Sequence, residues 1–403
     1  MILREQTISF STLDKSIYRG DFHKHEYLKE KLYREECVLQ SLEAASDREH
    51  RFTIEEIKKN GDDSDKVGYF LPLFYEKLLV RKCAKNISKA FPIRSIDRER
   101  AIRELASCLR WGPHQSVYRV DIKSFYESIN HLDLINFIKE SGRLSGLTKD
   151  ILIRILNQYW NAGGTGLPRG LEIANPLANA YLYEVDEIIS KQEHCLFYCR
   201  FVDDIIIVSS GLPEDNVYKQ FKKSMPGRLK LNTSKTLVLD KKHTKIEFPF
   251  LGYSIEVDGA SNQDTKKFRS VSLHISDSRL KKIKSRIYKS FEKYLVEKDF
   301  ELLTDRLTFL SSNRTNKRGK GKYKSGIFYS NRQVDSSKSI KSIDKYIYAL
   351  IKNDGVGPIQ GRLVLSNNEK QKILSINFEN RFNTKFHYKY NYHRSKEIVK
   401  VWE

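Results

Sequence analysis

The sequence has few cysteines and no long apolar run. Its five cysteines, Cys37, Cys83, Cys108, Cys195 and Cys199, form no C-x-x-C pair and lack zinc-ligand spacing, so reduced thiols are favoured over disulfides or a zinc module. No stretch approaches 18 apolar residues, and no basic-then-apolar signal peptide is found at the N-terminus. We therefore expect a cytoplasmic protein with no membrane partner.

The sequence also has fewer acidic than basic residues. The 403 residues include 72 Lys and Arg against 51 Asp and Glu, which gives a formal net charge of +21. The chain also contains 22 Tyr and 21 Phe, which are interleaved with the basic residues. Such a composition predicts a polyanionic partner, and the length suggests two or three domains with ample core.

Two adjacent carboxylates, Asp203 and Asp204, lie between two runs of residues that favour extended backbone. Residues 197–201 before them are mostly aromatic, and residues 205–208 after them are β-branched. The pattern predicts a β-hairpin with residues 202–204 at its turn. Like charges this close raise each other's pKa unless a cation lies between them, and Mg²⁺ prefers oxygen ligands. The alternative is a simple polar turn, because Asp is a good turn residue.

A second acidic pair, Asp62 and Asp63, has a different context. It lies in the run Asn-Gly-Asp-Asp-Ser-Asp, which has no apolar strand on either side. Such a composition is typical of a loop. We interpret this pair as a solvated turn.

A third candidate carboxylate, Asp121, ends another predicted strand. Residues 117–122 alternate between two sets of side chains, which predicts extended backbone up to the Asp. Phe125 and Tyr126 follow closely enough for a ring to cover a sugar bound beside the same metal. The alternative is that Asp121 caps a helix and the aromatic residues belong to the core.

Glycine and proline are concentrated at residues 163–170, which lead into a predicted helix. Glycine lets the backbone approach a ligand closely, and Asn175 and Asn179 would share one side of the helix. Residues 131–160, just before this loop, have helical apolar spacing and predict packed helices.

These motifs, taken in order, resemble those of the reverse transcriptases over roughly residues 70–350. The matching segments are residues 121–126 (first palm motif), 166–176 (Gly-Leu-Pro-Arg-Gly-Leu-Glu-Ile-Ala-Asn-Pro, second motif), 201–204 (Phe-Val-Asp-Asp, the double-Asp hairpin), 229–236 (the next motif) and 248–253 (primer grip). Five motifs in the same order as in the family are more than a chance resemblance would produce.

The resemblance implies an α+β fold, the right-hand polymerase fold, with fingers, a palm built on an antiparallel sheet, and a helical thumb. The implied boundaries are an N-terminal extension (1–66), fingers (67–115), palm (116–265, with a helical insertion at 131–165), thumb (266–352) and a C-terminal extension (353–403). Apolar residues at helical spacing between Leu280 and Leu295 predict an amphipathic helix in the thumb.

The resemblance also implies a metal-dependent site. Asp121 and Asp203 would hold two Mg²⁺ ions, with Mn²⁺ as the alternative metal. Asp204 would lie nearby, either as a direct ligand or just outside the ligand set, and Ile122 would lie at the same metals. One ion would activate the primer 3′-hydroxyl and the other would stabilise the pyrophosphate leaving group. Lys235 is the implied catalytic residue that approaches the triphosphate.

Further residues are implied to contact template, primer or incoming nucleotide, because they occupy the matching motif positions. They are Arg94, Arg98, Phe125, Tyr126, Pro168, Arg169, Gly170, Asn175, Leu251 and Gly252. Arg94 and Arg98 would grip the triphosphate, since a guanidinium offers forked donors to phosphate. Tyr126 would exclude ribonucleotides by clashing with a 2′-hydroxyl.

Two downstream segments add candidate nucleic-acid contacts. Residues 314–324 are interpreted as a basic loop that contacts phosphates, or alternatively as a disordered surface segment. Residues 386–393, if extended, would place Tyr388, Tyr390 and Tyr392 on one face, where they would stack on bases or pack on the domain.

Departures from the family pattern narrow the subgroup. Arg169 stands where Gln is usual, Asn175 where Ser is usual, and Phe-Val replaces Tyr-Ala before the two Asp residues. The chain lacks the Val-Thr-Gly element of retron enzymes and the Cys/His endonuclease module of many group II intron proteins. It looks more like the abortive-infection and defence-associated bacterial reverse transcriptases, which implies a dedicated non-coding RNA template and a role in antiphage defence.

The implied partners are an RNA template, a DNA product and dNTPs, with a second protein of the same locus and self-association left open. Two other functions remain at this point. An RNA-dependent RNA polymerase shares the palm and metals but usually has a small or polar residue at the position of Tyr126. A non-catalytic RNA-binding module would not need Asp121, Asp203 and Asp204 intact.

Overall fold

The computed structural model describes most of the chain. The described ranges are residues 6–57, 67–92, 97–111, 115–211, 216–227, 229–233, 236–239, 245–258, 269–318 and 321–402. None of the helices in these ranges offers the apolar length that a bilayer crossing requires. Two compact units are present: unit 1 comprises residues 1–97 and 114–242, and unit 2 comprises residues 98–113 and 243–403.

Helices occur in both units. In chain order they are α1 (Phe10–Asp14), α2 (Asp21–Lys24), α3 (Lys31–Ser46), α4 (Phe74–Ala90), α5 (Arg98–Arg110), α6 (Phe125–Ser128), α7 (His131–Glu140), α8 (Gly146–Asn161), α9 (Ala174–Tyr181), α10 (Tyr183–Ser190), α11 (Val217–Ser224), α12 (Asp277–Glu297), α13 (Phe300–Ser311), α14 (Lys338–Lys352), α15 (Asn367–Leu374), α16 (Phe378–Asn383) and α17 (Tyr392–Lys400). The predicted helices within residues 131–160 are confirmed as α7 and α8.

The strands form antiparallel sheets. They are β1 (Glu55–Ile57), β2 (Gly68–Phe70), β3 (Ser116–Asp121), β4 (Cys195–Phe201), β5 (Asp204–Ser209), β6 (Leu237–Leu239), β7 (Lys245–Phe250), β8 (Tyr253–Asp258), β9 (Ser270–Ile275), β10 (Asn313–Arg318) and β11 (Gly321–Gly326). The sheets have the strand orders β1-β2, β4-β5-β3-β6, β7-β8-β9 and β10-β11.

Unit 1 is built around the four-stranded sheet, in which β5 lies between β4 and β3. Ile205, Ile206, Ile207 and Val208 of β5 are fully buried, so both faces of this strand are covered. A continuous β-branched run is what such a strand requires, because every side chain packs against a neighbour. The ends of β3 and β5 are therefore held by a rigid core.

The segment before residue 58 packs on helix α4 through buried polar contacts. Arg81 of α4 pairs with the Asp21 carboxylate at 2.7 Å, and both side chains are less than one-tenth exposed. Nδ2 of Asn86, also in α4, donates to the Gln6 carbonyl at 2.8 Å. Removing one partner of a buried ion pair is strongly destabilising. These contacts make the described part of the predicted N-terminal extension integral to unit 1.

Unit 2 combines the sheet β7-β8-β9 with helices α12 to α17. Ile287 and Phe291 of α12 are fully buried and pack in one cluster with Leu303, Leu307 and Ile343. The lysines of α12 lie on its other faces, as the spacing of the apolar residues predicts. The predicted amphipathic helix is confirmed.

The two units do not coincide with the five predicted segments. Residues 98–113, in the predicted fingers, and residues 243–265, in the predicted palm, belong to unit 2. The predicted boundaries follow the order of family motifs along the chain, whereas the units follow packing. The five-segment division stays a prediction.

The predicted basic loop at residues 314–324 is wrong over the described residues. Strands β10 and β11 pair antiparallel there, with Thr315 opposite Lys324 and Asn316 opposite Tyr323. Asn316 Nδ2 also donates to Ser325 Oγ across the hairpin at 2.6 Å. The ladder forms without an apolar alternation, which is the signal that reveals a half-buried strand in a sequence.

The predicted tyrosine strand at residues 386–393 is wrong at its end. Helix α17 begins at Tyr392, because the Asn391 side chain accepts a hydrogen bond from the Arg394 amide at 2.8 Å and caps the helix. The Tyr390 hydroxyl is bound to Asp305 Oδ1 at 3.0 Å. This tyrosine is therefore fixed to α13, while Tyr388 and Tyr392 are exposed.

Candidate functional site

The double-Asp segment forms the predicted tight hairpin, although Asp204 belongs to strand β5 and not to the turn. Strand β4 ends at Phe201 and β5 begins at Asp204, so Val202 and Asp203 form a two-residue loop. Val202 has φ = 64°, which is uncommon for a β-branched residue, and glycine is usual at such positions in two-residue loops. Strain of this kind persists only where the surrounding structure holds it, and it is frequent at functional sites.

Asp121 lies directly beside this hairpin. It ends β3, as predicted, and is the antiparallel register partner of Asp204 on β5. The amide of Ile122 donates to the Asp203 carbonyl at 3.2 Å. Three residues from two distant segments of the sequence are thus brought to one end of one sheet, and the sheet itself fixes their backbone positions.

The electrostatics of this sheet end favour a bound cation. Burial raises the pKa of Asp204; Arg119, at 3.2 Å, opposes the rise, and the charges of Asp203 and Asp121 add to it. Asp121 is only 9% exposed, and its Oδ2 accepts a hydrogen bond from Asn232 Nδ2 at 3.1 Å. Burial and the neighbouring carboxylates therefore disfavour ionised Asp204 more than Arg119 favours it, and a divalent cation relieves this condition.

The ligand set fits magnesium rather than a metal that needs a closed protein cage. Within the described ranges, no three Asp, Glu, His or Cys side chains are already gathered closely enough to hold an ion. Mg²⁺ is usually held by one or two carboxylates, with waters and substrate phosphates supplying the rest. Asp121 and Asp204, as register partners, offer such a pair, with Asp203 adjacent. Ile122 has a buried apolar side chain, so only its backbone carbonyl could serve.

The glycine-rich loop packs against the segment that follows Asp121. Gly166 has φ = 61°, and a Cβ atom there would lie 2.0 Å from the Tyr126 carbonyl oxygen, so no larger residue fits. The Gly166 amide donates to His131 Nε2 at 3.3 Å, and Trp160 Nε1 donates to the Gly166 carbonyl at 2.8 Å. The His131 and Trp160 rings are themselves stacked, with centroids 4.1 Å apart. Both backbone groups of Gly166 are thereby fixed.

The same loop also contacts strand β2. The amide of Tyr69 donates to the Arg169 carbonyl at 2.7 Å, and Gly170, with φ = 106°, leaves no room for a Cβ beside the Tyr69 carbonyl. The Arg169 side chain reaches Glu127 Oε1 at 2.8 Å. Residues 166–170 are thus clamped between β2 and α6.

A buried arginine links the hairpin to the helices that pack against it. Arg200 of β4 binds Asp186 of α10 with two hydrogen bonds, Nη2 to Oδ2 at 2.5 Å and Nε to Oδ1 at 2.8 Å. Its Nη1 also donates to Asn179 Oδ1 at 2.9 Å and to the Val202 carbonyl at 3.2 Å. The Arg200 side chain is 2% exposed. This residue ties the strained loop to helices α9 and α10.

Tyr198 completes this anchor. Its hydroxyl donates to Asp186 Oδ1 at 2.6 Å. Burial, and then the charge of Asp186, raise the pKa of Tyr198 well above its ordinary value of 10.0, so the phenol stays protonated and remains a donor. The sequence revealed neither Asp186 nor Asn179 as a partner. The signal was an arginine inside an otherwise apolar strand, since a buried guanidinium needs a partner.

The remaining predicted site residues are distributed between the units. Arg94 and Lys235 lie outside the described residues. In unit 1, Phe125 and Pro168 are buried, and Asn175 accepts a hydrogen bond from Asn179 at 3.1 Å. Their predicted contacts with nucleic acid or nucleotide stay predictions.

In unit 2, the predicted primer-grip segment is a hairpin. Leu251 and Gly252, both with positive φ, form the turn between β7 and β8. Arg98 Nε donates to the Leu251 carbonyl at 2.7 Å, and its Nη1 donates to the Ser330 carbonyl at 3.1 Å. These donors of Arg98 are thus engaged within unit 2, and its predicted contact with a triphosphate stays a prediction.

His131 gives the glycine-rich loop a predicted pH dependence. Burial lowers the pKa of His131 below its ordinary 6.5, so the folded state favours the neutral ring that accepts the Gly166 hydrogen bond. The stabilisation is fully present above pH 6.5 and is lost as the pH falls through the lowered pKa of the folded state. We expect His131→Gln, whose side-chain oxygen can still accept, to lose less thermal stability than the wild type between about pH 7.5 and about pH 5. Equal losses in thermal melts of the two proteins would contradict this role.

Part of the chain is similar to a known protein family. Residues 57–255 match the family model described as reverse transcriptase (RNA-dependent DNA polymerase). The matched range contains Asp121, the glycine-rich loop and the double-Asp hairpin. No curated protein matches the chain. The matched domain is an RNA-directed DNA polymerase, a nucleotidyltransferase, and it implies the polymerase fold of palm, fingers and thumb, with which the helices and antiparallel sheets are consistent.

Proposed function

Because residues 57–255 form a reverse transcriptase domain, we propose that this chain copies RNA into DNA with Asp121, Asp203 and Asp204 as its metal-binding carboxylates. The observation that carries the proposal is the pairing of Asp121 with Asp204 across β3 and β5, with Asp203 adjacent in the strained loop. These carboxylates would hold two Mg²⁺ ions, whose chemistry would be to activate the primer 3′-hydroxyl and to stabilise the pyrophosphate leaving group.

The protein's own contribution is to hold the carboxylates in place. Strands β3 and β5 fix the separation of their backbones, and Asn232 orients the Asp121 carboxylate through its hydrogen bond. Arg119 holds one oxygen of Asp204 at 3.2 Å and limits its rotation. Phosphoryl transfer depends mainly on such positioning and on charge. Lys235 is proposed to approach the triphosphate.

The direct test is primer extension by the purified chain. An RNA template with an annealed primer is offered Mg²⁺ and either dNTPs or NTPs. We expect extension from dNTPs, whereas efficient extension from NTPs alone would identify an RNA-dependent RNA polymerase. RNA binding without any extension would identify a non-catalytic RNA-binding protein.

Nucleotide selection is proposed to depend on Tyr126. This residue follows Asp121 by five positions and is half-buried against the glycine-rich loop, whose Leu167 amide donates to the Tyr126 carbonyl at 2.9 Å. We expect Tyr126→Ala to raise ribonucleotide incorporation relative to deoxyribonucleotide by up to about 100-fold, because a 2′-hydroxyl would no longer meet the ring. Single-turnover incorporation of a dNTP and its matching NTP gives the ratio.

Tyr126→Phe is the matched control. It keeps the ring and removes only the hydroxyl, so the preference for dNTPs should be retained. An unchanged ratio in Tyr126→Ala would transfer the role to another side chain. Phe125 is adjacent, with its ring centroid 5.9 Å from that of Tyr126, and would be tested next.

The biological role is proposed to be antiphage defence on a dedicated non-coding RNA. The support is the similarity of the Leu-Pro-Arg-Gly-Leu variant of the second motif to the defence-associated enzymes. The net charge of +21 suits a long RNA partner. Sequencing the nucleic acid that copurifies with the protein tests the template. A single abundant non-coding species is expected, and a random sample of cellular RNA would count against it.

Protection in cells tests the defence role itself. The wild-type protein, expressed with its native flanking locus, should reduce infection by some members of a broad phage panel. A second protein of that locus and self-association are proposed as further partners. If no phage is inhibited, the proposed role in defence is wrong, and the proposed polymerase activity is unaffected by that result.

A further inference from the structure

Arg169 joins three segments around the proposed sugar-contacting residue. Its carbonyl accepts from the Tyr69 amide of β2 at 2.7 Å. Its guanidinium lies over the Tyr126 ring, with the Cζ atom 4.7 Å from the ring centroid. The same guanidinium donates from Nε and Nη2 to Glu127 Oε1, at 3.2 Å and 2.8 Å. The backbone of Arg169 is thus fixed while its side chain covers the ring.

The Tyr126 ring has few other polar restraints. Among the described residues, none exchanges a hydrogen bond with its hydroxyl that would fix the ring direction. Phe125 contacts the ring edge to face, but its own side chain is 2% exposed and faces the core. The carbonyl of Tyr126 is held by the Leu167 amide, which fixes the backbone, and one side of the ring packs against the hydrophobic core of unit 1. The Arg169 guanidinium is therefore the polar group placed to restrain the ring.

We propose that Arg169 is a positioning residue for nucleotide selection, which holds the Tyr126 ring where the sugar of the incoming nucleotide must pass. Glu127 in turn holds the guanidinium over the ring. This inference rests on the proposed function of Tyr126. Arg169 stands where the family usually has glutamine, and this inference gives that difference a role. A glutamine has no positive charge to place over a ring, so the restraint would be particular to chains with this arginine.

The geometry favours positioning over direct contact with substrate. Two of the donor nitrogens of Arg169 already point at Glu127, so a bound phosphate would have to compete with that carboxylate. A direct contact with phosphate would serve dNTPs and NTPs equally, because both carry the same triphosphate. A restraint on Tyr126 acts only on the difference between the two sugars.

The test is a double-mutant cycle on the full chain. Arg169→Gln should raise the ratio of NTP to dNTP incorporation by about two- to fivefold, the size of one partly exposed cation–π contact. In the Tyr126→Ala background, Arg169→Gln should change the ratio no further, because the ring it restrains is gone. Glu127→Gln should shift the ratio in the same direction as Arg169→Gln, and by less.

Arg100→Gln is the matched control. Arg100 also forms an exposed ion pair with a glutamate, to Glu104 Oε1 at 2.6 Å, and no aromatic ring lies under it among the described residues. Its variant should leave the ratio unchanged. Because Arg169 is over one-third exposed, its replacement should leave the thermal melt nearly unaltered, and the melt is measured alongside.

The outcomes separate the inference from the function on which it rests. If Tyr126→Ala shifts the ratio of NTP to dNTP incorporation and Arg169→Gln does not, the positioning role of Arg169 is overturned and the selection role of Tyr126 is retained. An equal rise in KM for dNTPs and NTPs in Arg169→Gln, with an unchanged ratio, would overturn it in favour of direct substrate contact. If Tyr126→Ala itself leaves the ratio unchanged, Tyr126 does not select the sugar, and the positioning role of Arg169 is overturned as well.

Discussion

Replacing Asp203 and Asp204 together by alanine is expected to abolish dNTP incorporation while RNA binding stays within a few fold of the wild type. In the proposed function these carboxylates hold the metals, which would contribute several kcal/mol of transition-state stabilisation, so the rate should fall by about a thousandfold or more. RNA affinity depends on the basic surface, which the variant leaves intact. Primer extension and fluorescence anisotropy with labelled RNA measure the two properties on the same preparation.

The sequence supplies a matched control for this variant. Asp62 and Asp63 are an adjacent acidic pair like Asp203 and Asp204. They lie between β1 and β2 in the sequence, outside the described residues, and they belong to none of the five motifs. Asp62→Ala with Asp63→Ala removes the same charge and should retain activity. Full activity in the Asp203 and Asp204 variant would refute the site, and loss of activity in both variants would attribute the effect to net charge.

Arg200→Met is expected to destabilise unit 1 by about 3–5 kcal/mol, because the change leaves the Asp186 carboxylate without its buried partner. Arg200 is 2% exposed and Asp186 18% exposed, so solvent can replace little of the lost interaction. The Val202 carbonyl also loses a donor at the strained loop, so activity should fall even in the folded fraction. Urea denaturation followed by circular dichroism gives the free energy of unfolding.

Lys191→Met provides the comparison on the same helix region. Lys191 pairs with Glu187 at 2.6 Å, but its side chain is 66% exposed, so the loss should stay within about 1 kcal/mol. The double variant Arg200→Met with Asp186→Leu should recover part of the loss, since replacing both partners of a buried pair is often close to neutral. Equal losses for Arg200→Met and Lys191→Met would show that the buried pair has no special role.

The parts of the site that the sequence predicts correctly are those with a local pattern. The β-branched run after Asp204 predicts β5, and the alternation before Asp121 predicts β3, because each pattern reports the burial of its own strand. The resemblance to known polymerases implies that Asp121, Asp203 and Asp204 meet at one site, but the register pairing of Asp121 with Asp204 is a finding of the structure. No local pattern predicts it, because it joins segments more than 80 residues apart in the sequence.

The partners that the sequence does not predict are single polar residues in helices. Asp186 is an acidic residue of the amphipathic helix α10, and its sequence context is that of a solvated face. His131 and Trp160 belong to α7 and α8, and nothing in their spacing indicates that they hold Gly166. Periodicity reports which face of a helix is buried, but it does not report which distant residue that face meets.

The anchor formed by Arg200, Asp186, Asn179 and Tyr198 limits which substitutions this gene can accumulate. A mutation of Arg200 alone leaves a buried carboxylate, and a mutation of Asp186 alone leaves a buried guanidinium, so each single step is costly. Drift at these positions should therefore be concerted, with arginine and aspartate retained together or replaced together. Such joint replacement among related chains would reveal the anchor without a structure, at residues outside the proposed metal and nucleotide contacts.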